Sequence, residues 1–208
     1  MNIFARGLKM SANYYKLKFP FEYVNKGMYS AKYAKLVEDR WHWISPGIDE
    51  CITTEAKHQL LSIGVKDFRT QLFYGYPGMS TDIHEDAKVD DKGNIHYGST
   101  WALNVCWGSK NHIMSWYRIL NNSTKSAKGN SADDKFPRIQ FRIFDASDVE
   151  EVENVSISGV TLVRINVPHA VFNYDTRPRH CLSIRESTQN WTWEEAVKRF
   201  RPWIIQYD

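Results

Sequence analysis

From Phe68 onward, short runs of apolar and polar residues recur between clusters of turn-forming residues. The runs 70 to 76, 80 to 86, 99 to 107, 112 to 119, 139 to 145, 159 to 167, 169 to 173 and 179 to 186 predict eight short strands. Strands of that number and spacing indicate a mainly β fold, a barrel-like sandwich of jelly-roll type with flanking helices. Before them, residues 1 to 66 read as a helical and irregular lead-in that packs on the sheet. There Thr53 caps a helical stripe running to Leu61. After them, residues 188 to 208 form a tail. It carries a short helix from Thr192 to Phe200, with acids early and bases late as the helix dipole prefers. The expected organisation is therefore one domain over 1 to 208, with its strand-rich core at 68 to 187.

Two polar insertions interrupt the strands, at Lys88 to Asn94 and Asn121 to Lys135. The second is rich in Ser, Asn, Lys and Gly, which predicts a mobile surface loop of the kind that also serves as a substrate lid. Its Asn121-Asn122-Ser123-Thr124 matches a glycosylation acceptor, yet without a secretion signal it reads as a polar loop.

Composition narrows the class a little. At 208 residues the chain is long enough to bury a single core. The balance of 27 basic against 24 acidic residues gives no argument for nucleic acid. Cys51, Cys106 and Cys181 are odd in number and widely spaced, which excludes a disulfide framework or zinc ribbon and predicts buried free thiols. No apolar run reaches membrane-spanning length, and Met1 to Leu8 is too short and mixed for a signal peptide. A cytoplasmic protein is expected.

The chemistry lies in His84-Glu85-Asp86, His169 and Arg179. Among seven histidines only His84 is followed by an acid two places later. Residues i and i+2 of a strand project from the same side, so His84 and Asp86 can reach one metal where the backbone is extended. With His169 they offer two imidazoles and one carboxylate. That set occupies one face of an octahedral iron(II) and leaves three positions for a chelating cosubstrate and dioxygen, which implies an oxygenase. The run Arg164 to Arg185 reads as a hairpin turning at Asp175 to Pro178. Alternation places Arg179, Cys181, Ser183 and Arg185 on one face of its second strand. Two arginines and a serine beside a candidate metal ligand suggest a dicarboxylate pocket, because guanidinium pairs bidentately with carboxylate.

On His84-x-Asp86, His169 and Arg179, with Trp101-Ala102-Leu103-Asn104 and Trp116-Tyr117 between them, the chain resembles the iron(II)- and 2-oxoglutarate-dependent dioxygenases over residues 68 to 187. It is most similar to the small stand-alone oxygenases of phage and bacterial type. The resemblance implies a double-stranded β-helix, the cupin-like jelly roll, with iron held by His84, Asp86 and His169. It implies that Arg179 holds the far carboxylate of 2-oxoglutarate, at a spacing from His169 like that of prolyl hydroxylases. Oxidative decarboxylation to succinate would then be coupled to oxidation, most simply hydroxylation, of a substrate. Arginines six apart at Arg179 and Arg185 also resemble the end of the AlkB-type nucleic-acid demethylases, where both arginines serve the cosubstrate.

Several assignments stay open at this level. Ser183 either donates to the cosubstrate carboxylate or is an ordinary strand serine, and Arg185 either joins the pocket or does not. Asn104 and Tyr117 are candidates for cosubstrate contacts or for ladder and core roles, since the inward face of 99 to 107 is undecided. Asn173 reads as a turn-capping amide or a pocket group, and Arg177 as a solvated turn residue. The expected substrate is a small molecule, an amino acid or a peptide side chain. The alternatives are an AlkB-like demethylase, to which Tyr14-Tyr15-Lys16-Leu17-Lys18 would lend a surface, or a non-catalytic β-helix module.

Overall fold

The computed structural model describes residues 13–25, 51–89, 95–120, 125–128, 140–186 and 191–205. Most of the 121 to 135 insertion, and with it the lid reading, lies outside the described residues. Within them the protein is mainly β, built on two antiparallel sheets and a small hairpin. The strands are β1 (Tyr14–Leu17), β2 (Phe68–Gly75), β3 (Ile83–Glu85), β4 (Ala87–Val89), β5 (Ile95–Tyr97), β6 (Trp101–Gly108), β7 (His112–Ile119), β8 (Lys125–Lys128), β9 (Gln140–Phe144), β10 (Val149–Ser156), β11 (Gly159–Arg164), β12 (His169–Asn173) and β13 (Arg179–Glu186). One sheet runs β1-β11-β6-β13-β2 and the other β10-β7-β12-β3-β9-β8, while β4 and β5 pair alone.

Two helices, α1 (Thr54–Ser62) and α2 (Trp193–Phe200), form where the caps predict. The Thr53 side chain accepts from the Ala56 amide, and Thr192 and Glu195 make a reciprocal capping box. Ala56 and Leu60 of α1 and Trp193, Ala196 and Phe200 of α2 bury against Leu72, Leu103, Leu162, Leu182 and Ile184. That is the outer face of the five-stranded sheet. Its inner face contributes Ala102, Cys106, Val163 and Cys181 to a second core shared with Met114 and Trp116 of β7. No described helix is long and apolar enough to cross a membrane.

The strand expectations need five corrections, one being the pair β4 and β5, which forms where no strand is expected. Tyr14 to Leu17, inside the expected helical lead-in, is an edge strand antiparallel to β11. Tyr15 and Leu17 bury in the outer core while Tyr14 stacks on Trp116, a period of two that uses both faces. The tyrosines are thus packed and do not form an open binding surface. β10 escapes the apolar pattern because its Val-Glu-Glu-Val-Glu-Asn-Val-Ser sequence is that of a charged edge strand, interrupted by a register shift between Glu151 and Glu153. β8 forms within the insertion expected to be loop, paired to β9. The strand expected to extend through Asp86 ends at Glu85.

Candidate metal centre

β3 and β12 run antiparallel with His84 directly opposite His169. This register sets the imidazoles 4.5 Å apart, centroid to centroid. Asp86 joins them from the bend after β3, its amide donating to the Ile165 carbonyl at 3.1 Å. Asp86 thus comes beside His84 through this bend and not through the strand parity expected of an extended backbone. One ligand atom from each of His84, Asp86 and His169 lies within 4.8 Å of the others, and His84 Nε2 is 3.7 Å from Asp86 Oδ1. Atoms bound to one metal at right angles sit about 3 Å apart. Small rotations of these side chains would close the set.

Both rings are held in the same way. His84 Nδ1 lies 2.7 Å from the Asp82 carbonyl, and His169 Nδ1 lies 2.9 Å from the Val167 carbonyl. A carbonyl only accepts, so each Nδ1 carries the proton and a neutral ring presents a bare Nε2. Backbone anchoring of the second nitrogen is how metal-binding imidazoles are oriented. Burial, and then the neighbouring His84, lower the His169 pKa to about 4, so its lone pair is free near neutral pH. The exposures of the side chains are 21% for His84 and 8% for Asp86.

Burial alone would raise the Asp86 pKa. Arg185, followed by the imidazoles of His169 and His84 and then by Arg69, more than reverses this and holds the carboxyl low. Arg185 Nη1 sits 2.9 Å from Asp86 Oδ2, but out of line for a hydrogen bond, so the contact is one of opposite charge. Arg185 also donates from Nε to Ser183 Oγ at 3.3 Å and lies over the Phe73 ring. Arg69 stands directly opposite Arg185 on β2. Glu85, pointing the other way, accepts from Arg142 at 3.2 Å.

Arg179 begins the same strand, six residues from Arg185, which is about 20 Å along a strand. Both belong to the inner face with Cys181 between them along the strand, and both charges favour the Cys181 thiolate. Arg179 is buried and donates from Nη2 to Cys106 Sγ at 3.3 Å, while its Nε has no partner. Among the described residues no carboxylate pairs with it. Burial opposes its charge, which the two thiols restore. A buried cation without an anion costs several kcal/mol.

The inward face of β6, undecided by sequence, is the one bearing Ala102, Asn104 and Cys106, since Trp101, Leu103 and Val105 join the outer core. Register aligns Gln71, Ser183, Asn104 and Thr161 in one row across β2, β13, β6 and β11. All four are buried, and Gln71 Oε1, Asn104 Oδ1 and Thr161 Oγ1 have no hydrogen-bond partner. Sequence reasoning singled out Asn104 and Ser183 but missed Gln71, Thr161 and Arg69. The period of two in Arg69-Gln71-Phe73 was the available signal.

Other expected residues fall elsewhere. Tyr117 alternates with Met114 and Trp116, which face inward, so it lies on the far face of β7. Asn173 is a cap: its Nδ2 donates to the carbonyls of Gly75, Tyr76 and Arg177, each at 3.0 Å. Arg177 is exposed and pairs with Asp175 within the turn. Gly108 closes the end of β6 at φ +92°, where a Cβ would come within 2.5 Å of the Pro178 carbonyl.

No family model matches the sequence, and no curated protein does. Among solved structures the chain is similar to the X-ray structure of E. coli ycfD, at 11% identity and a TM-score of 0.27. The match covers 69% of this chain and spans 31% of that one, a superposition too loose to bear on fold or function.

Proposed function

We propose that the protein is an iron(II)- and 2-oxoglutarate-dependent dioxygenase, a hydroxylase built on a double-stranded β-helix. Strand order supports the fold. Strands β2, β3, β6 and β7 alternate between the sheets, as do β10 to β13, and among these eight every pairing joins one half to the other, in the orders β11-β6-β13-β2 and β10-β7-β12-β3. That interleaving is the pattern of two Greek keys forming a jelly roll.

The observation that carries the function is a three-donor cluster, its two imidazoles anchored through Nδ1, on the same inner side as a buried arginine that has no carboxylate partner among the described residues. The donor set fits iron(II), since one carboxylate and two neutral imidazoles hold such an ion without saturating it. When bound, iron(II) and 2-oxoglutarate supply the activation of dioxygen and the oxidising power. His84, Asp86 and His169 would hold the metal, and Arg179 would hold the far carboxylate of the cosubstrate. Arg185 keeps Asp86 ionised and braced, and Ser183 fixes Arg185 in turn. The inner row of Gln71, Asn104 and Thr161 offers polar groups to whatever occupies the interior. The substrate expected from this reading is a small molecule, an amino acid or a peptide side chain.

Anaerobic titration of the purified chain with iron(II) and 2-oxoglutarate tests the reading. A visible charge-transfer band should appear in the wild type and be absent in His84→Ala and His169→Ala. Folded wild-type protein that gives no band would favour a non-catalytic module. Succinate formation in air then separates an enzyme from a silent metal binder.

A further inference from the structure

Cys106 and Cys181 are direct partners across β6 and β13, and both side chains belong to the inner core. Directly opposed residues of antiparallel strands have Cβ atoms about 4.5–5.5 Å apart, whereas a disulfide asks for about 3.5–4.5 Å. An approach of roughly an ångström between two neighbouring strands would join them. Arg179 donates to the Cys106 sulfur, so a fixed positive charge stands beside the pair. Positive surroundings of this kind favour the thiolate, the reactive form of cysteine.

We propose that Cys106 and Cys181 are a redox-modification site, joined by peroxide into a disulfide beside Arg179 and returned to thiols by a small dithiol. The pair is buried, but the same interior holds the unpartnered oxygens of Gln71, Asn104 and Thr161 and the unpartnered Nε of Arg179. Buried polar groups of this kind are satisfied by water. Peroxide is barely larger than water, with the same hydrogen-bonding character, and enters where water does. The electrostatics agree with the geometry: the hydrogen bond from Cys106 lowers the Cys181 thiol pKa, against its burial and aided by Arg179. Cys106, as the donor, is pushed up.

In the reaction the Cys181 thiolate attacks one peroxide oxygen and the O–O bond breaks. Hydroxide leaves and takes up a proton to form water, and Cys181 becomes a sulfenic acid. The Cys106 sulfur then attacks that sulfur and the S–O bond breaks. The departing hydroxide leaves as a second water with the Cys106 proton. Two electrons have passed from the thiol pair to the peroxide.

The assignment does not depend on the dioxygenase reading. It is tested on the folded full-length chain treated with hydrogen peroxide, free iron being chelated, and then alkylated and weighed intact. The expected result is loss of two hydrogens, peptides of β6 and β13 linked through Cys106 and Cys181, and reversal by dithiothreitol. Cys51, in the core on the other side of the sheet, should remain a free thiol, and Cys51→Ala should form the link at the wild-type rate. Arg179→Gln should slow linkage by about threefold or more. Linkage through Cys51, linkage seen only after denaturation, or oxidation of the separate thiols with no link would overturn the proposal. An unchanged rate in folded Arg179→Gln would remove Arg179 from it.

Discussion

The two faces of the five-stranded sheet are cut from the same strands and are equally buried, yet they are chemically opposite. Outward, Leu72, Leu103, Leu162, Leu182 and Ile184 meet two helices in a largely apolar contact, where Trp101 Nε1 and Gln59 Nε2 are isolated polar atoms without a partner. Inward, at alternate positions of the same strands, stand Gln71, Asn104, Thr161, Ser183, Arg179 and Arg185, several with atoms that find no partner. Each buried unsatisfied group costs about 1–3 kcal/mol, so the inner face spends stability where the outer face gains it. The lesson is that burial alone does not separate a core from a site. The gathering of polar and charged side chains on one face does.

Adjacent substitutions in β13 and its neighbours sharpen this contrast. The largest effect belongs to the outer face. Leu182→Ala should destabilise the protein by about 2–5 kcal/mol, read as a lower urea midpoint at unchanged slope, because it opens a cavity beneath the helices. Arg179→Met on the inner face should leave thermal stability equal or higher, since it removes a buried charge with which no described carboxylate pairs. On the proposed function, the same variant should weaken 2-oxoglutarate binding by about a hundredfold in calorimetry, as loss of a buried charge-assisted pair implies.

A smaller effect concerns pH. His112, buried at the far end of β7, donates from Nε2 to the Ile157 carbonyl, and burial followed by the charge of Arg179 lowers its pKa to about 4. The unfolded chain binds that proton near pH 6.5. Between these values the unfolded state holds more protons than the folded one, so stability falls as pH drops from about 6.5 to about 4. His112→Gln should flatten that part of the curve, and an identical slope in the variant would show that other groups set it. The least effect is expected from Thr161→Val, which replaces an unpartnered hydroxyl by a methyl of similar shape. Its unfolding free energy should stay within about 1 kcal/mol of the wild type or exceed it.

How far the sequence could be read follows the same contrast. The meeting of His84, Asp86 and His169 was legible because metal-ligand chemistry is carried by residue type and spacing. The helices at Thr54 and Trp193 were legible through their caps. The inward side of β6 was not, because Trp-Ala-Leu-Asn-Val-Cys places apolar residues on both faces, and only packing chooses between them. β10 was hidden by its charges and β1 by its shortness. The separate duties of Arg179 and Arg185 depend on where the Asp86 carboxylate comes to rest, a tertiary fact that no spacing encodes.

Gly108 bears on how relatives of this chain would be recognised. With the Pro178 carbonyl pressed against the place a side chain would occupy, no other amino acid fits at the close of β6 while the 175–178 turn keeps its seat. Divergent sequences that hold an arginine where Arg179 stands should therefore preserve a glycine here even after most surface identity has drifted away, giving a small fingerprint far from any ligand.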